Sequence, residues 1–210
     1  MLVAILTSLA FVSAALTILA SYQNRRLTLY LFKPLTILFI ILIALQPKYP
    51  TSNFYRYTII TALIFSLAGD VFLMLPQTRF IQGLVSFLVA HLFYIAAFTT
   101  ESGHALSTLD LLPFLFYGLL MMRVLWPHLG RMRAPVSVYM LVILLMGWAA
   151  ASRWLLTGQD GSRLAFLGAV LFILSDSFLA VDRFRRHFRS AQLLVLSTYF
   201  TAQWLIALST

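Results

Sequence analysis

Apolar residues in this chain fall into long, nearly unbroken runs separated by short polar gaps. The runs cover about 2–21, 29–46, 57–75, 80–98, 108–126, 135–153, 163–181 and 191–209. Each is close to the roughly 20 residues that a helix needs to cross the hydrocarbon core of a bilayer. The pattern predicts an all-α polytopic bundle of about eight transmembrane helices, forming a single transmembrane domain over residues 1–210. The run at 29–46 is the shortest and contains Lys33-Pro34. It counts as a span if the proline stands at the helix start, where its missing N–H is harmless. The first run has no basic stretch before it and reads as a retained span, not a cleaved leader.

The gaps carry an asymmetric charge. Those after runs one, three, five and seven, with the adjoining helix ends, hold Arg25, Arg26, Lys33, Arg79, Arg123, Arg131, Arg133, Arg183, Arg185, Arg186 and Arg189. The others hold only Lys48, Arg56, Arg153 and Arg163. Basic loops stay in the cytoplasm, so both termini are expected outside it. Short loops point to a bacterial inner membrane.

Two acids interrupt this pattern: Asp70 in LIFSLAGDVFLMLP and Asp176 in LGAVLFILSDSFLAV. A carboxylate in hydrocarbon costs several kcal/mol unless it faces a polar interior. Runs three and seven cross in the same direction. Asp70 precedes Pro76 by about one and a half turns, and Asp176 precedes Arg183 similarly. At 1.5 Å per residue both lie roughly 10 Å beneath the cytoplasmic boundary. They are expected to meet in one cavity open to that side. The other acids read as surface groups: Glu101 and Asp160 in external loops, Asp110 near a helix end, and Asp182 beside Arg183, Arg185 and Arg186.

The two halves resemble each other. A short apolar core ending in Gly-Asp or Ser-Asp occurs once in each, and Lys33-Pro34 is echoed by Arg133-Ala134-Pro135, at an offset of about 100 to 106 residues. This reads as a four-plus-four parallel repeat about an axis along the membrane normal.

Small residues surround the acids. Thr58, Ala62, Ser66 and Asp70 recur at i+4, as a close-packed helix face requires. His91 lies midway along run four, on a face with Gly83, Phe87 and Tyr94. Such a histidine serves equally as an interhelical donor or a proton relay. Tyr199 and Gln203 share a face of run eight, with Gln203 cast as a network or substrate-orienting residue. Lys33 can reach up to a lipid phosphate or pair with an aspartate. Asn24, Arg26 and Arg79 at the same level suit a phosphate rim.

Composition narrows the classes. The chain has 210 residues, of which 61% are hydrophobic and 10% charged, with mean hydropathy +0.93. Soluble domains carry roughly 25% charged residues, so little remains for one. The net charge of +9 lies in the loops and marks topology and phospholipid contact, not nucleic acid. Cysteine is absent, which removes disulfides and thiol chemistry. No metal-ligand spacing such as HExxH occurs, and neither metal nor cofactor is expected.

The chain resembles the YhhN-like family of membrane proteins, which includes lysoplasmalogenases. The resemblance rests on Lys33-Pro34-Leu35-Thr36, Gly69-Asp70-Val71-Phe72-Leu73-Met74, Gly83, Phe87 and Ala90-His91-Leu92-Phe93-Tyr94. It continues through Gly168-Ala169-Val170-Leu171-Phe172, Ser175-Asp176-Ser177-Phe178-Leu179-Ala180, Tyr199 and Ala202-Gln203. It implies an eight-helix enzyme that cleaves the vinyl ether bond of a lysophospholipid. The products would be a fatty aldehyde and glycerophosphoethanolamine or glycerophosphocholine. Vinyl ether hydrolysis needs a proton donor and a second group that stabilises an oxocarbenium ion or activates water. Asp70 and Asp176 fit those roles, in either order, with Lys33, His91, Tyr94, Tyr199 and Gln203 as binding or relay residues.

Two other classes share these features: a small proton-coupled transporter, and a non-catalytic lipid-binding protein. Acids near one face and unbroken helices speak against the transporter. The oligomeric state is not legible.

Overall fold

A computed structural model describes residues 1–75, 79–100 and 109–210. Pro76 and Glu101, used above to place a boundary and a loop, lie outside the described residues. Eight α-helices run in order: α1 (Leu2–Tyr22), α2 (Arg26–Ala44), α3 (Asn53–Met74), α4 (Phe80–Thr100), α5 (Leu112–Leu125), α6 (Arg133–Thr157), α7 (Asp160–Ala180) and α8 (Ala191–Leu208). All eight segments are long and apolar enough to span a membrane, α5 together with its flanking 3₁₀ turns. Among the described residues there is no β-strand.

Most predicted runs coincide with helices, and the exceptions have local causes. α3 begins at Asn53, before its apolar run, because the Ser52 side chain accepts the Tyr55 N–H as an N-cap. Asp160 does not sit in a loop. It opens α7 and pairs with Arg163 at 3.1 Å, where an acid suits the positive helix end. Pro34 is not at a helix start either: α2 begins at Arg26 and carries the proline inside. A mid-helix proline removes one backbone bond and crowds the preceding turn. Hydroxyls supply polar contacts there. Ser13 on α1 and Thr36 on α2 both donate to the Phe32 carbonyl, at 2.9 and 2.8 Å.

Arg153 is a further correction. Its charge ends a hydropathy window and so reads as a loop residue. The helix instead runs on to Thr157 and stops at Gly158, in the left-handed conformation. Arg153 is fully buried, its guanidinium 4.3 Å from the Tyr55 ring centroid and 3.2 Å from the Tyr55 hydroxyl.

Neighbouring helices follow a repeating scheme. α1 packs on α2 as α5 does on α6. α3 packs on α4 as α7 does on α8, and α2 meets α3 as α6 meets α7. The long-range pairs α2–α8 and α6–α4 close the ring. These relations reappear four helices later, in keeping with a four-plus-four arrangement, although the α1–α8 contact has no comparable α4–α5 counterpart among the described residues. Glycine permits the closest approaches. A Cβ on Gly69 of α3 would lie 2.6 Å from the Phe87 ring of α4, and one on Gly168 of α7 would lie 2.8 Å from the Ala202 carbonyl of α8. Without a bilayer's hydrophobic drive between helices, such packing holds the bundle together. α5 is peripheral, with only Gly118 and Leu125 buried.

Beyond Ala180 the helix widens into a π turn, Val181–Arg185, closed by the Arg186 N–H donating to the Val181 carbonyl at 2.9 Å. Asp182 ties this turn to the following loop. It accepts the Phe188 N–H at 3.1 Å and lies 2.8 Å from His187 Nδ1, rather than engaging the neighbouring arginines.

Candidate functional site

Asp70 and Asp176 each stand about one turn before the end of their helices. α3 and α7 finish at the same end of the bundle. Both carboxylates line a single cavity of about 580 Å³, together with Lys33, Tyr199, Phe87 and Arg183. The shared depth read from the sequence thus becomes a shared chamber.

The two acids have different surroundings. Asp70 is almost wholly buried. Its Oδ1 lies 3.0 Å from Lys33 Nζ, and its Oδ2 accepts the Tyr199 hydroxyl at 2.7 Å. Burying such a pair is tolerable only because both oxygens have partners. Of the two roles open to Lys33, the structure shows pairing with aspartate. Asp176 is only partly buried. Its Oδ2 accepts the Tyr139 hydroxyl. Among the described residues no cation stands within ion-pair distance of it. The nearby Arg183 guanidinium instead lies over the Phe80 ring, 3.6 Å from its centroid.

A buried relay backs Asp70. The Tyr94 hydroxyl donates to Gln203 Oε1, and Gln203 Nε2 donates to the Tyr199 hydroxyl at 3.3 Å. Tyr199 then reaches Asp70. Tyr199 lines the chamber, whereas Tyr94 and Gln203 sit behind it. His91 is fully buried and does not line the chamber. Its ring packs edge-on against Phe172 and Tyr139, at centroid distances of 4.7 and 5.3 Å. Among the described residues neither ring nitrogen has a hydrogen-bond partner.

Tyr139 is the residue that sequence reasoning missed. It belongs to α6, and nothing in the local pattern links position 139 to 176. The four-helix offset offered the one available clue, because it places α6 beside α7.

Two spaces join the chamber. On the basic side lies a vestibule of about 850 Å³ that shares Lys33, Leu73, His187, Gln192 and Leu196 with it. Asn24 and Arg26 line the vestibule, as do Arg25 and Arg189, while Arg79 is exposed at the foot of α4 and outside that lining. On the other side an apolar cleft of about 70 Å³ lies among α4, α5, α6 and α7. It shares Phe87, Asp176 and Leu179 with the chamber and adds Met121, Ile143 and Leu144. Among the described residues no group of three or more His, Asp or Glu forms a metal-donor set.

Fold and site together define a multi-pass integral membrane protein with an amphipathic internal path and two carboxyls at its centre. The chain belongs to the YhhN family, whose profile matches residues 28–210. It is 30% identical over 197 residues to the "Uncharacterized membrane protein YhhN" of Escherichia coli O157:H7, covering 94% of each chain. It is 35% identical to human "Lysoplasmalogenase TMEM86A" over 161 residues, covering 72% of this chain and 64% of that one. Against human "Lysoplasmalogenase TMEM86B" it is 36% identical over 158 residues, covering 75% and 65%. No solved structure matches.

Proposed function

We propose that this protein is a lysoplasmalogenase, hydrolysing the vinyl ether of a 1-alkenyl lysophospholipid to a fatty aldehyde and a glycerophosphodiester such as glycerophosphoethanolamine or glycerophosphocholine. One observation carries the reading: two carboxyls line one chamber, one clamped by a cation and the other without one among the described residues. The curated names of the mammalian relatives support the reaction class.

The asymmetry supports one division of the roles. Asp176 is the acid. Tyr139 occupies its Oδ2, which leaves Oδ1 to carry a proton towards the chamber. That proton goes to the outer vinyl carbon, and the oxygen-bearing carbon becomes an oxocarbenium ion. Asp70, paired with Lys33 at 3.0 Å, serves as the base: it stabilises the cation and takes a proton from water as it adds. A hemiacetal results, with Asp176 now ionised and Asp70 protonated. Its collapse reverses both transfers. Asp70 protonates the departing glycerol oxygen while Asp176 accepts the hemiacetal hydroxyl proton, and both groups return to their starting states. The two-carboxyl logic is that of glycosidases, which also pass through an oxocarbenium.

The spaces suit the parts of the substrate: phosphodiester in the vestibule, vinyl ether in the chamber and the first carbons of the chain at the cleft, whose volume of about 70 Å³ is too small for a whole fatty chain. By the distribution of basic loops, the vestibule faces the cytoplasm and both termini lie outside it, in a bacterial inner membrane. The test uses purified protein in lipid nanodiscs with a 1-alkenyl lysolipid. Aldehyde should appear, and Asp70→Asn or Asp176→Asn should abolish it in folded protein. Lysolipid flux in sealed vesicles without aldehyde would replace this reading with transport.

A further inference from the structure

The vestibule carries a charge pattern that the reaction itself does not require. Three guanidinium groups, Arg25, Arg26 and Arg189, line it. Among the described residues none of the three makes an ion pair with a carboxylate. Lys33 at its inner edge is already committed to Asp70. Among the described residues no acidic side chain lines the vestibule. Of the chamber's carboxylates, Asp70 is taken by Lys33 and Asp182 by His187 and the Phe188 N–H.

Tyrosines at the mouth are committed as well. The Tyr22 hydroxyl donates to the Arg189 carbonyl at 3.0 Å, and the Tyr30 hydroxyl donates to the Met74 carbonyl at 3.1 Å. Both bonds tie rim segments together, and the first anchors the Arg189 backbone. Among the described residues the site therefore offers abundant donors for an anion and no carboxylate for a cation, with only neutral oxygens such as those of Asn24 and Gln192. An ammonium group is recognised by a carboxylate or an open aromatic cage, whereas arginine forks match phosphate.

We propose that the vestibule is a headgroup subsite that reads the phosphodiester of a lysolipid and disregards the amine beyond it. The substrate class is then vinyl-ether lysophospholipids at large, including anionic ones with glycerol on the phosphate. This inference rests on the proposed hydrolysis and deepens it.

Three 1-alkenyl lysolipids with one chain and with choline, ethanolamine or glycerol on the phosphate make the test. Their kcat/KM values should agree within about tenfold. A glycerol headgroup poorer by about a hundredfold or more would overturn the proposal. So would a choline preference that disappears in Tyr22→Ala or Tyr30→Ala, since that marks an aromatic cage. Arg25→Gln, Arg26→Gln and Arg189→Gln should each raise KM about three- to tenfold for all three headgroups with kcat unaltered, and lysine should restore part of the loss. An unchanged KM in all three variants would also overturn it.

Soluble glycerophosphoglycerol should compete far more weakly than a saturated 1-alkyl lysolipid. Equal potency would mark a site for free phosphates, not lipids. Direct binding of that uncleavable alkyl analogue separates the two readings. If it still binds in an arginine-dependent way while no headgroup yields aldehyde, the hydrolase reading fails and the headgroup subsite stands.

Discussion

Lys33 and Asp70 form an ion pair of 3.0 Å inside the bundle, with the lysine side chain only 12% exposed and the aspartate 2%. Such a pair cannot be dismantled from one side without consequence. Lys33→Met leaves a buried carboxylate unmatched, at a cost of about 3–5 kcal/mol. It should lower the thermal midpoint in detergent and reduce kcat more than it raises KM. Lys33→Met with Asp70→Asn should regain most of the stability without the activity. Full stability in the single variant would refute the pairing.

Asp176→Asn should remove aldehyde release by about a thousandfold or more while leaving the helical fold intact, because proton donation is lost outright. The carboxamide can still accept the Tyr139 hydroxyl. Circular dichroism and gel filtration on the same sample check the fold, and equal loss of folding and activity would assign Asp176 a structural role.

Tyr139→Phe keeps the ring against His91 and deletes only the donor to Asp176. The expected loss is about ten- to a hundredfold in kcat with KM little changed. An unaltered kcat would show that the hydroxyl does not orient the acid.

His91→Phe should be neutral or stabilising, since its two buried ring nitrogens, without partners among the described residues, cost about 1–3 kcal/mol each. Thermal unfolding decides this. A large drop in stability would mean that the imidazole has a partner in the folded membrane protein.

Gly69→Ala should destabilise by about 1–3 kcal/mol, because its methyl would press on the Phe87 ring at 2.6 Å. Phe87 in turn stands edge-on to Phe172 and Tyr199, at 6.2 and 5.9 Å, and has little room to retreat. Activity should fall with stability, since Tyr199 holds Asp70.

The spans were legible because hydrocarbon imposes one length and one composition on every helix. The convergence of Asp70 and Asp176 was legible for a related reason: run direction and distance from a loop fix depth. Interhelical partners were not. Whether Lys33 would reach a lipid phosphate or Asp70 depends on helix rotation, which a uniformly apolar helix does not reveal. Tyr139 looked like any other aromatic. Arg153 misled because hydropathy treats every arginine as an exit from the membrane, and this one packs on Tyr55. Pro34 misled similarly, since its tolerance inside α2 comes with hydroxyls, one of them on another helix.

The chamber sits between a basic, polar vestibule and an apolar cleft. A molecule cut there is divided by solubility as well as by bond. On the proposed reaction, the phosphodiester half can leave towards water, while the aldehyde stays on the oily side and has no aqueous gap to cross. Each methylene kept out of water spares about 0.8 kcal/mol. For a long-chain aldehyde, release sideways into the bilayer is thus the downhill path, and the enzymes that consume it should be sought in the membrane.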